Sequence, residues 1–220
     1  MTPPVKQHIP FSDLTKELSD ADVALFRGSG FTSTAIQVAG RSDYSNAALV
    51  GLVGIDLLGC PDSRVPMCIE SREFVGVRAV SLASQVARYS GRVDVYRPGP
   101  AYGDAVRRGR IVLEGLRLTG ARYGWGDIMQ SSTMFLPGLR WLRLRGLPDV
   151  ATPDLARHPA YCSAFVSILL RIYGGEDPVP NRDDRETLPG DLACTSALKY
   201  FATVYSDDDF ARRMHEGFDS

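Results

Sequence analysis

Read for its apolar and polar positions, the chain falls into an early part built of short apolar runs and a later part with helical spacing. Residues 22–26 (DVALF) form an apolar run stopped by Gly28 and Gly30, which predicts a strand. Before it, residues 11–21 read as a connector with Leu14 and Leu18 on one side. Residues 31–38 suit a helix capped by Thr32 or Ser33, and 40–45 are turn-rich. Residues 47–53 are almost wholly apolar, as in a strand covered on both faces. Further strands are predicted at 67–71, 76–82 and 93–97, with a loop at 61–66. In the second half, Val106, Ile111, Leu113, Leu116 and Leu118 recur at helical spacing within 101–119, with arginines between them. Residues 120–126 break that helix, and a helical insertion is expected at about 128–150, interrupted at Pro137 and Gly138. From Cys162 to Tyr173 the chain is apolar on nearly every side and stops at Gly174 and Gly175. A helix apolar all round belongs in the middle of a fold. Early strands, later helices and no internal repeat predict one α+β domain over 1–220 with an antiparallel sheet.

Composition changes that picture little. Apolar residues at 44% and charged residues at 23% exclude a disordered or fibrous chain. The 25 basic residues, 22 of them arginine, are scattered and matched by 26 acids, so no electrostatic field draws the chain to nucleic acid. Cys60, Cys68, Cys162 and Cys194 form neither a CxxC pair nor a metal-ligand spacing with histidine, so no metal, cofactor or disulfide framework is expected. Residues 1–10 lack the apolar segment of a secretory signal, and no run of eighteen apolar residues occurs, so a cytoplasmic protein is the default expectation. Gly28 and Gly30 lack the third glycine of a dinucleotide fingerprint, and neither a phosphate-binding Walker loop nor a GxSxG elbow is present. The acidic run at 207–209 reads as a helix cap.

Cys162 is the most informative residue. It heads the buried helix, where the macrodipole and unpaired amides favour a thiolate and would hold the oxyanion of a tetrahedral intermediate. A buried cysteine behaving as a small hydrophobe is the plain alternative.

Seven stretches carry a resemblance. Residues 22–26, 35–37 (AIQ) and 43–50 (DYSNAALV) look like the opening of the permuted NlpC-type papain-like hydrolases, the branch of YiiX-like proteins related to the lecithin:retinol acyltransferase group. Residues 68–71 (CIES) resemble the family's next strand, 123–127 (YGWGD) a characteristic turn, 161–166 (YCSAFV) the helix start carrying the nucleophile, and 188–192 (LPGDL) its closing segment. The resemblance implies a circularly permuted papain-like fold, with an antiparallel sheet packed on a central helix headed by Cys162. It also implies thiol-mediated cleavage or transfer at an amide or ester, the substrate being a peptidoglycan-type peptide, an N-acyl amine or a lipid. Cys162 would attack, the residue at 46 would act as base, and Glu70 would orient it, with Tyr44, Tyr161 and Ser163 around the substrate.

The chain departs from that family where it matters most: Asn46 stands at the histidine position. An amide does not titrate near neutral pH, so it neither takes the thiol proton nor returns it to a leaving group. Loss of a general base costs about 10²–10⁴ in rate, so the chain is expected to be inactive or very slow. Three readings fit: a descendant that binds without turning over, an introduced replacement of histidine, or a different base. Of His8, His158 and His215, only His158 lies near the nucleophile in sequence. For Glu70 the plain alternative is a surface glutamate on an edge strand. Residues 134–147 mix large apolar groups with Arg140, Arg143 and Arg145, the pattern of either a membrane-surface contact through Trp141 and Leu142 or a cover over the core.

Overall fold

The computed structural model describes residues 7–28, 34, 37–38, 41–54, 64–72, 75–89, 92–122, 160–180 and 182–216. The strands are β1 (His8–Pro10), β2 (Val23–Arg27), β3 (Asn46–Gly54), β4 (Arg64–Arg72), β5 (Gly76–Ser81), β6 (Arg92–Pro98) and β7 (Leu198–Tyr205). The helices are α1 (Phe11–Glu17), α2 (Leu82–Arg88), α3 (Ala105–Arg117), α4 (Cys162–Gly174), α5 (Pro189–Cys194) and α6 (Asp207–Glu216). The strands form one seven-stranded sheet in the order β1-β7-β6-β2-β3-β4-β5. Every neighbouring pair is antiparallel except β1 with β7, so the sheet is mixed at one edge.

Both faces of the sheet are covered, which explains the continuous apolar run in β3. Strand alternation sends Ala47 and Leu49 to one face, where they join Ile69 and Val77 beneath Ile111 and Val112 of α3 and Phe165, Ile168 and Leu169 of α4. It sends Ala48 and Val50 to the other face, with Cys68, Val93 and Val95 against Leu14 of α1 and Leu82 and Val86 of α2. Gly51 faces α3 closely: a Cβ built there would overlap a methyl of Val112. A glycine therefore lets α3 settle on β3.

Helix α4 is buried without interruption from Cys162 to Leu170. Gly175 ends it in the left-handed conformation at φ 83°, and its N–H bonds back to the Arg171 carbonyl. The helix packs on β3, β4 and α3. The expected strand at 76–82 closes one residue early, because Leu82 opens α2, and the expected connector at 11–21 contains α1. The expected insertion at about 128–150, the arginine-rich stretch 134–147, the 123–127 turn and His158 lie outside the described residues, as does most of the 31–38 helix.

Candidate functional site

The N-terminus of α4 meets the Asn46 end of β3. Tyr161, in extended conformation, precedes the first helical residue, Cys162, whose side chain is buried at 4% exposure. The helix start is pinned from two sides. The Ser71 hydroxyl of β4 donates to the Ala160 carbonyl at 2.6 Å. The hydroxyls of Ser163 and Tyr161 both donate to the Thr187 carbonyl, at 2.7 and 3.0 Å. Ser163 and Tyr161, expected around a substrate, thus have internal partners that tie the 187 segment to the helix start.

The Cys162 sulfur lies against the backbone amides of Ala47 and Ser163, and both favour its charged form. Burial outweighs them, and the nearby Glu70 charge adds to it, so the thiol is pushed up to about 11. The expectation of a thiolate at the helix N-terminus is corrected on this point. Amides and dipole contribute tenths to a few kcal/mol, whereas complete loss of water around a small anion costs more.

Asn46 and Glu70 form a second cluster. The Asn46 side-chain amide donates to one Glu70 carboxylate oxygen at 2.8 Å. The other oxygen receives Arg78 twice, at 2.9 and 2.6 Å, and Gln85 of α2 at 3.5 Å. Arg72 stands 3.7 Å away. Glu70 is fully buried on β4, which runs between β3 and β5, so it is neither at an edge nor at the surface. Its contact with Gln85 places it on the α2 face. The sheet on which α4 packs thus carries Asn46 and Glu70 on its other face. Alternation puts Ala47 toward α4 and its neighbour Asn46 toward α2. Among the described residues, the partner of the Asn46 amide is Glu70, not the Cys162 sulfur.

Tyr44 has another setting. It is buried on the α4 face, where its hydroxyl donates to Asp94 at 2.6 Å and lies 3.0 Å from the Tyr96 hydroxyl. Burial and the Asp94 charge raise its pKa far above the usual phenol value. His8 stacks beside Tyr205 at the β1 edge, far in sequence and sheet order from β3, and His215 falls on α6. Sequence reasoning missed Arg78, Arg27 and Asp94. Arg78 was within reach, because it follows Glu70 by eight residues in a stretch read as two strands, and the pair is directly cross-strand.

No family model and no curated protein matches the chain. Among solved structures, the chain resembles the crystal structure of the metalloprotein YiiX from Escherichia coli O157:H7 (DUF1105). The likeness has a TM-score of 0.50 and 15% identity, over 85% of this chain and 98% of that one. The fold is YiiX-like. At that identity the likeness speaks to architecture alone. The donor set here does not suit a metal ion: Glu70 is ringed by two guanidinium groups, and among the described residues no three His, Cys, Asp or Glu side chains converge. Nor is any described helix long and apolar enough to cross a membrane.

Proposed function

We propose that this chain is a ligand-binding module on a thiol-hydrolase framework, with the cleft end of the sheet retained and the chemistry silent. The carrying observation is the Asn46–Glu70–Arg78 cluster. The position where the resembling family keeps its base holds a non-titrating amide, and that amide is engaged by a buried carboxylate rather than by the nucleophile. The protonated, buried Cys162 thiol supports the same reading. A small peptide, an acyl amine or a lipid is the ligand class the resemblance suggests.

The test is release of p-nitrophenol from p-nitrophenyl acetate at pH 7.5, comparing the protein with Cys162→Ala. Equal rates are expected. A burst of one equivalent that disappears with Cys162→Ala overturns the silent reading.

A second reading, a thiol hydrolase or acyltransferase with Cys162 as nucleophile, rests on the two backbone amides at the sulfur, which favour its reactive, charged form. It predicts that Asn46→His raises the rate by about 10²-fold or more, the scale of one general base. No gain in Asn46→His removes it.

A further inference from the structure

On the α4 face, at the same end of the sheet as Cys162, two arginines stand directly opposite each other. Arg27 of β2 pairs in register with Arg92 of β6. Like charges in that relation repel and destabilise a sheet unless an anion lies between them. The anion supplied by the fold is Asp94, 1% exposed, two residues beyond Arg92. Arg92 Nε approaches one of its oxygens at 3.2 Å and Arg27 Nε the other at 3.4 Å. The same carboxylate also accepts the Tyr44 and Thr203 hydroxyls, so its lone pairs are taken.

One carboxylate therefore serves two guanidinium groups, leaving an excess positive charge at 23% and 13% side-chain exposure. Asp43, which bonds Arg27 at 2.7 Å, is 74% exposed, and water screens much of its charge. Among the described residues, Arg92 Nη2 is buried without a hydrogen-bond acceptor, and Arg27 Nε has the 3.4 Å ion-pair contact with Asp94 but no hydrogen bond of good geometry. Buried donors left without acceptors are costly, and two adjacent guanidinium forks are the arrangement that receives an oxyanion in bidentate fashion.

We propose that Arg27 and Arg92 form the binding site for the anionic head, carboxylate or phosphate, of the ligand carried by this module. The proposal rests on the binding-module reading in placing that ligand on the Cys162 face. The row Ala47–Leu25–Asp94 crosses three adjacent strands there, so the head group sits about 10 Å from the thiol. The site takes a terminal oxyanion, and the rest of the ligand extends along the tyrosine-lined face toward the helix start.

The experiment is NMR titration of the arginine Nε–Hε signals with sodium phosphate and, separately, sodium acetate, against sodium chloride at matched ionic strength. Saturable shifts of the Arg27 and Arg92 signals with phosphate or acetate, absent with chloride, are expected. Arg92→Gln should weaken binding at least tenfold, and Arg27→Gln likewise if Arg92→Gln fails to fold. Response to phosphate alone assigns a phosphoryl head; response to acetate, with or without phosphate, assigns a carboxylate. No saturable shift with either anion, or an unchanged affinity in the folded variant, overturns the site. Cys162→Ala should bind the anion as the parent does, so the result is independent of whether the thiol is catalytic.

Discussion

At Cys162 two opposing effects act on one atom, and their balance is measurable. A thiol raised to about 11 from an ordinary 9.0 has roughly a hundredth of the thiolate of a free thiol at pH 8. Iodoacetamide labelling followed by peptide mass spectrometry should therefore find buried Cys162 far slower than exposed Cys194. Equal rates would mean that the sulfur is open and activated. Glu70 offers a second test. With Arg78→Ala the buried carboxylate keeps only Arg72, Asn46 and Gln85, and removing the main partner of a buried ion pair costs about 3 kcal/mol. Urea denaturation should show that loss. It should be much smaller in Arg78→Ala/Glu70→Leu, where no charge is left stranded. The position of Cys162 was legible in the sequence because an apolar helix announces its own start. Its protonation was not, since burial depends on β3, β4 and the 187 segment, all remote along the chain.

Among the elements, the run at 47–53, apolar on both faces, was the plainest strand in the sequence, and 22–26, 67–71, 76–82 and 93–97 were legible from shorter apolar or alternating runs. β7 was not legible. Its run LKYFATVY mixes polar and aromatic positions, and its partner β6 shifts register between Val95 and Tyr96. β1 is three residues long and ends in proline, too short for any periodic signal. Helix α2 begins directly where β5 ends, so no turn residue marks the change. The contact of α3 with β3 was equally invisible, although its cause is a single residue. Gly51→Ala should destabilise by about 1–3 kcal/mol, because the new methyl overlaps Val112. That is a fall of several degrees in Tm for a chain of this length. Gly51→Ala/Val112→Ala should recover part of the loss, and failure to recover would place the strain elsewhere.

For the molecule as a whole, burial of acidic hydroxyls and thiols sets the response to alkali. Burial raises Cys162, Cys68, Tyr44 and Tyr102 above their ordinary values. Such groups hold their protons in the native state and release them when unfolded. Their contribution is fully present below about pH 9, where thiols in the unfolded chain begin to ionise, and it declines as pH rises toward the native values. The urea midpoint should be flat from pH 7 to 8.5 and fall steeply by pH 10.5. A flat profile throughout would show that these groups are hydrated in the native state.

The pairing of β1 with β7 joins residues 8–10 to 203–205. During synthesis, β1 must wait for the much later β7 before it can pair. Until β7 emerges, β6 also has an open side, since β7 lies between it and β1. A nascent chain that stops short of β7 thus carries an unfinished sheet edge, and that half of the sheet closes only once residues 198–205 have emerged.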